Sequence, residues 1–253
     1  MRNGWYTTRH PMDAAVRAVR VGGRLTGLAA IADAGGWVRR PPRFEVAVPR
    51  NASRLRTPFD RRRRRRPDDP VRVHWDADPL GGTPTRVSVP QALRRAILDE
   101  PLEDAVAAVD WAFSAGELDL LGWERLVASL PRGKRGIRGL VDPQCGSLPE
   151  SLARTRLRAA GLHVRSQVRV GGWFGAIDLV VEDAVAIEVD GDRFHRDTFS
   201  RDRAKDLEIA LAGLYPLRPS ADIVFRRWNE LEAAVLLMLR NLGVSPTARP
   251  LRA

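Results

Sequence analysis

Lysine is nearly missing from this 253-residue chain: of its 42 basic side chains only Lys134 and Lys205 are lysines, and arginine supplies the rest. With the abundance of Ala, Gly, Val and Asp this reflects a GC-rich coding bias, yet arginine also makes the better bidentate phosphate contact. Cysteine is scarcer still. A single Cys145 excludes an internal disulfide and every zinc site built from several thiolates, and it fits a reducing cytoplasm. Long apolar runs are missing too. The longest stretch, Ala233 to Leu239, is far too short to cross a bilayer, and the N-terminus carries Arg2, Arg9 and Arg17 without the apolar segment of a signal peptide. A soluble cytoplasmic protein with no membrane partner is expected.

What is present is positive charge. The 42 basic against 31 acidic side chains give a formal charge of +11 and a pI near 11.2, which point to a polyanionic partner, most simply nucleic acid. At 44% hydrophobic the chain can build real cores, and its length suits two small domains.

The pattern along the chain divides it in three. Residues 1–75 hold two short helices, Asp13 to Val21 and Leu25 to Ala34, around Gly22-Gly23, then strands at Phe44 to Val48 and Val71 to Trp75. Between those strands, residues 50–70 are dense in arginine and proline and read as a mobile loop. Its run Arg61, Arg62, Arg63, Arg64, Arg65 and Arg66 is either a solvated insert or a non-specific phosphate clamp. Residues 76–141 are helical, at Pro90 to Leu98, Leu102 to Ala115 and Gly122 to Leu130, and bridge to the last part. Trp111, Phe113 and Trp123 fall in apolar-periodic helices there and read as core rather than as base-stacking platforms.

From residue 142 the order is clearer. A helix opens at Ser147-Leu148-Pro149-Glu150 and runs to Gly161. Strands follow at His163 to Val170, Gly175 to Val181 and Ala184 to Asp190, then a helix at Phe199 to Ala212, a strand at Tyr215 to Arg218 and a helix at Trp228 to Leu242. Helix, three antiparallel strands, helix and strand make an α/β fold with a mixed sheet, preceded by a smaller mixed or helical N-terminal domain.

The central hairpin carries the chemistry. Ile177, Leu179 and Val181 share a face with Val185, Ile187 and Val189 only if the turn has an odd number of residues, most simply Glu182, Asp183 and Ala184. That register sets Asp178 opposite Glu188 and Ala176 opposite Asp190. Like charges opposed across a ladder repel, and a divalent cation is the usual remedy. Ala176, Val180 and Ala186 on the same face are small enough to leave room for one. The alternative is a solvent-facing acidic face on an amphipathic hairpin.

The stretch Pro149-Glu150-Ser151, Arg156-Leu157-Arg158, Gln167, Ile177-Asp178-Leu179, Ile187-Glu188-Val189-Asp190-Gly191, His195 and Arg201-Asp202-Arg203…Asp206 resembles the PD-(D/E)XK nuclease superfamily, in its very-short-patch-repair-like branch. The resemblance covers the last two fifths of the chain and implies a restriction-endonuclease-like αβββαβ core. It implies that Asp178, Glu188 and the carbonyl of Val189 hold Mg²⁺ or Mn²⁺. Glu150 would reach the site from the first helix, although Ser147 and Glu150 also form a capping box. The superfamily's usual lysine is replaced here by Asp190, so the charge-stabilising task passes to His195, Gln167, Arg203 or Lys205. Arg154 with Arg158, one helical turn apart, and Arg165 with Arg169, on a strand face with Gln167, would grip phosphates; the competing account is a solvated helix face and an exposed strand edge.

At the other end, Gly4-Trp5-Tyr6, Val19 to Trp37, Phe44-Glu45-Val46 and Val48-Pro49 resemble the AbiEi-type antitoxin family, with Met1 standing where that family's wing would end. The expectation is a Mg²⁺-dependent endonuclease acting on double-stranded or structured DNA, in defence, mobile-element biology or repair. The alternative is a catalytically inactive, antitoxin-like regulator that binds nucleic acid on a nuclease fold. Sequence leaves a homodimer open.

Overall fold

In the computed structural model, residues 6–76, 81–170, 175–190 and 199–247 are described, the side chains of 199–202 excepted. The chain forms two compact units, Met1–Gly139 and Leu140–Ala253, each mixed α/β with its own mixed sheet.

The first unit opens with α1 (Ala14–Val21). Asp13 caps it, Oδ1 accepting from the amides of Ala15 at 2.8 Å and Val16 at 3.4 Å, and Gly22 ends it in the left-handed region at φ 106°. The next helix, α2 (Gly27–Asp33), starts later than the sequence pattern suggests, because Arg24–Leu25 is drawn into a two-residue strand, β1. β1 pairs antiparallel with β2 (Glu45–Ala47), which pairs parallel with β3 (Arg72–His74). A Cβ on Gly23 would stand 2.6 Å from the carbonyl oxygen of Ala47, so this close approach requires glycine.

Residues 55–69, read from sequence as a mobile loop, fold back on themselves instead. Thr57 N donates to Arg63 O at 3.1 Å and Arg65 N to Leu55 O at 3.1 Å. Asp60 and Asp69 accept from the amides of Arg62 and Arg66, at 2.8 and 2.7 Å. Two aspartates close to the arginines thus satisfy backbone donors that composition alone leaves to water. The helices α3 (Val89–Asp99), α4 (Leu102–Ser114) and α5 (Leu120–Ser129), followed by a 3₁₀ helix at Arg132–Gly139, belong to this first unit. Trp111 and Trp123 are buried in it, and the Phe113 ring meets Trp123 edge-on at 6.3 Å.

The second unit runs α6 (Leu148–Ala159), β4 (Val164–Val168), β5 (Ile177–Val181), β6 (Val185–Ile187), α7 (Phe199–Leu211), β7 (Tyr215–Leu217), α8 (Ala221–Arg226) and α9 (Trp228–Asn241). Its sheet order is β4-β5-β6-β7, antiparallel except for the parallel β6–β7 pair. Leu179, Val181, Val185 and Ile187 pack with Leu152 and Leu157 of α6 and Leu231, Val235 and Leu239 of α9. Val180 and Ala186, on the other face, pack with Ile209 of α7, and Ile177, expected with Leu179 and Val181, joins this second cluster. A sheet covered on both faces explains the unbroken apolar reading of β6.

This packing corrects one expectation. Val180 and Ala186 are completely buried under α7, so their small size leaves room for a helix and not for an ion.

Candidate active site

The hairpin register is Leu179↔Ile187, Val180↔Ala186 and Val181↔Val185, with Glu182, Asp183 and Ala184 between. One step further along the same register puts Asp178 opposite Glu188. Glu182 and Asp183 are both left-handed, at φ 49° and 52°, the sign pattern of a type I′ turn. Neither residue prefers it. Glu182 is held there by its side chain, which accepts from His163 N at 2.7 Å, Thr247 N at 3.0 Å and Thr247 Oγ1 at 2.6 Å.

Three carboxylates converge from different elements. Glu150 comes from the first turn of α6, where Ser147 Oγ caps its amide at 3.4 Å and donates to Oε1 at 2.7 Å. Its Oε2 accepts from Gly146 N and from Gln167 Nε2, each at 3.2 Å. The glutamate therefore serves the cap and also reaches across to β4, one residue short of the amide a capping box uses. Gln167 sits in β4 at φ 51°, a left-handed conformation inside a strand that a non-glycine residue keeps only when its surroundings impose it.

Asp178 Oδ2 accepts from Val189 N at 2.9 Å. Glu188, 8% exposed, faces α7, and Lys205 Nζ lies 2.7 Å from each of its oxygens. The ammonium is aligned to Oε2; Oε1 is buried without a hydrogen-bond partner. Lys205 also donates to Ala176 O at 3.0 Å. Lys205 and Ile209 are four apart, so one face of α7 carries both the lysine and the core contact.

Burial is the largest influence on all three acids, and it pushes each carboxyl above its ordinary value. The charge of Asp178 adds to the rise at Glu150, and hydrogen bonds from Ser147, Gly146 and Gln167 oppose it. At Asp178 the amide of Val189 and the charge of Lys205 oppose burial. At Glu188 Lys205 opposes it while Asp178 adds to it. Among the described residues only Lys205 and, at longer range, Arg218 bring positive charge to the cluster.

Asp190 is more exposed than the three, though its charge still acts to raise Asp178. Its backbone bridges to Ser220, its side chain is 41% exposed, and Arg218 Nη1 approaches it at 3.4 Å while Nε holds Asp206 at 2.6 Å. Arg218 carries no sequence signal beyond ending a predicted strand, so its role needed the tertiary pairing of β6 with β7.

The predicted phosphate contacts divide. Arg154 is completely buried, 3.2 Å from Asp142, and cannot meet a phosphate. Burial alone would raise the Asp142 carboxyl, but the Ser166 hydroxyl, the Gln144 amide and Arg154 hold it below its ordinary value. Arg158 is directed inward as well, Nη2 donating to Val164 O at 2.8 Å. Arg165 is exposed and paired with Asp183 at 2.6 Å. Arg169, Arg203 and the loop arginines Arg61, Arg62, Arg63, Arg64 and Arg66 are exposed, with Arg65 half-buried. His195 and the side chains of Arg201 and Asp202 lie outside the described residues.

A second group escaped the sequence reading. In the first unit, ligand atoms of Glu45, His74 and Asp99 lie within 4.8 Å of one another, the one such set of three among the described residues. His74 Nε2 is 3.2 Å from Glu45 and 3.9 Å from Asp99. Arg72 reaches Glu45 at 3.4 Å and Asp99 at 3.5 Å, and Arg95 reaches Asp99 at 3.4 Å. Two guanidiniums already match its two carboxylates.

Comparison with family models, curated proteins and solved structures finds no match to this chain.

Proposed function

We infer that the second unit is a Mg²⁺- or Mn²⁺-dependent DNA endonuclease of the PD-(D/E)XK kind, with a restriction-endonuclease-like core. The observation that carries this reading is a run of three buried acids, Glu150 coupled to Asp178 and Asp178 to Glu188, each raised by burial, with Lys205 on Glu188 as the one ammonium in contact among the described residues. Such a set is electrostatically complete when a cation joins it.

The donors suit a hard divalent ion. Asp178 and Glu188 offer carboxylate oxygens, Oε1 of Glu188 is buried with Lys205 Nζ 2.7 Å away but not aligned to it, and Val189 follows directly with its carbonyl. A bound ion supplies a water of lowered pKa and neutralises the scissile phosphate. The chain's own residues set the geometry around it. Val189 N fixes Asp178, Ser147 and Gln167 fix Glu150, and Lys205 orients Glu188 while bringing positive charge to where negative charge develops. Arg218 turns Asp190 aside.

Plasmid cleavage tests this. Purified protein with Mg²⁺ or Mn²⁺ should nick or linearise DNA, and Asp178→Asn and Glu188→Gln should each lower the rate at least about a hundredfold, the scale of losing one preorganised charge-stabilising group. Equal cutting by the variants would sink the assignment.

One observation favours a second reading, a non-catalytic, antitoxin-like nucleic-acid binder. Lys205 lies against both oxygens of Glu188 and partly neutralises it without any ion. That reading expects DNA binding with neither cleavage nor Mn²⁺ uptake, which calorimetry distinguishes.

A further inference from the structure

The first unit also contains an open cleft of about 580 Å³ lined by Arg50, Arg94, Arg95 and Arg125, with Asp76 the one acid among its described lining residues. Arg95 already holds Asp76 and also meets Asp99 at 3.4 Å. Arg50, Arg94 and Arg125 have no acidic partner among the described residues. Three guanidiniums facing one concavity repel each other more strongly than on a flat, solvated surface, because low-dielectric walls focus their field. An anion relieves that repulsion, and a phosphate matches the planar guanidinium fork. The first turn of α3 forms another wall, with Ser88 making no side-chain cap bond, so its dipole adds to the same field.

Trp75 adjoins this wall along the chain, although it is not among the residues that line the cleft. Trp75 is 46% exposed, immediately precedes Asp76, and donates its indole N–H at 3.3 Å to Ala52, two residues beyond Arg50. Both its covalent neighbour and the segment it bonds to therefore help to build the cavity. A basic pocket beside an exposed indole is the combination that takes a phosphate together with an unstacked base. The volume falls within the range of small-molecule sites.

We propose that this cavity binds one nucleotide unit, its phosphate against Arg50, Arg94 and Arg125 and its base on Trp75. The unit comes either from a single strand of nucleic acid or from a free nucleotide. The site is separate from the carboxylate cluster and does not depend on cleavage.

The test uses the full chain in EDTA, where no metal-dependent cutting interferes. Anisotropy of a labelled 20-nucleotide single strand is followed across roughly 50 to 200 mM salt, for the wild type, Arg94→Gln/Arg125→Gln, Trp75→Leu, and a control, Arg226→Gln/Arg227→Gln, that loses the same two charges elsewhere. If a strand is the source, the first variant binds at least about tenfold more weakly with a salt slope smaller by about two, and Trp75→Leu weakens binding by about five- to a hundredfold. The control stays within about twofold of wild type. Calorimetry with dAMP covers the other source: binding by wild type that Arg94→Gln/Arg125→Gln loses, with strand binding unaltered, assigns a free nucleotide. Thermal melting confirms that the variants fold. Unaltered strand and dAMP binding in the cavity variants, or an equal loss in the control, overturns the site.

Discussion

In the first unit Glu45, 2% exposed, is met by His74 at 3.2 Å and Arg72 at 3.4 Å, and Asp99 is met by Arg72 and Arg95 at 3.5 and 3.4 Å. In the second, among the described residues, Glu150, Asp178 and Glu188 have one ammonium in contact, Lys205 on Glu188, and Arg218, which holds Asp190 and Asp206, acts on Asp178 and Glu188 only by its charge. Both sets of acids are largely withdrawn from water, where an unmatched charge is expensive. The first is matched by fixed guanidiniums and ties β2 and β3 to α3. The second is left short, and the shortage appears as carboxyl groups pushed up by burial. Ligand spacing alone ranks these clusters the other way, since the first is the compact triad. The count of cations per acid is what separates a structural network from a site that asks for an ion.

Manganese gives the sharpest way to break this contrast. At about a hundredfold excess over its dissociation constant a ligand bound only by the folded state adds about 2.7 kcal/mol. Thermal and urea unfolding should show that gain in wild type and in Glu45→Gln/Asp99→Asn, and should lose it in Asp178→Asn/Glu188→Gln. The reverse pattern would make the first-unit triad the metal site. A smaller effect appears without metal, and it has opposite signs in the two clusters. Arg72→Gln strips a guanidinium from a buried glutamate and should lower stability by about 1–2 kcal/mol. Asp178→Asn keeps an acceptor for Val189 N while deleting an uncompensated charge, and should raise stability by about 0.5–2 kcal/mol, the usual relation between a site and its fold.

Part of this was legible in the sequence. The turn at Glu182, Asp183 and Ala184 and the register through Leu179 and Ile187 follow from apolar parity, because a slip of one residue would exchange the side chains that pack on α6 and α9 with those that pack on α7. The helix start at Ser147 follows from cap chemistry. Other features depend on partners distant in sequence. Arg154 looks like a surface arginine until Asp142, twelve residues earlier, is folded against it. Glu45 looks like a strand acid until β3 brings His74 and Arg72. Lys205, named with His195, Gln167 and Arg203 as a candidate for stabilising charge, reaches Glu188 because Ile209, one turn along α7, is anchored on Val180 and Ala186. Burial of a charged side chain is a tertiary decision, and local pattern does not encode it.

The least conspicuous effect is in the pH dependence of stability without metal, and it bears most directly on why the clusters differ. Glu150, Asp178 and Glu188 have carboxyl groups raised by burial, so the folded protein retains protons there that the unfolded chain, titrating near pH 4, has released. Unfolding free energy must then fall as pH rises from the unfolded values through the raised native ones, and level off above them. Asp142 and Glu182 in the same unit are lowered and act oppositely: their stability is lost as pH falls through their native values. The two trends overlap in wild type, and a difference curve separates them. The stability of Asp178→Asn minus that of wild type, from urea midpoints between about pH 4 and 8, should be smallest at the acid end and grow as pH rises through the window in which Asp178 loses its proton. Saturating Mn²⁺ should reverse its sign at neutral pH, since the ion takes the place of the proton in wild type alone. A curve that stays flat would mean that Lys205 closes the second cluster as completely as Arg72 and Arg95 close the first. The distinction between network and site would then disappear.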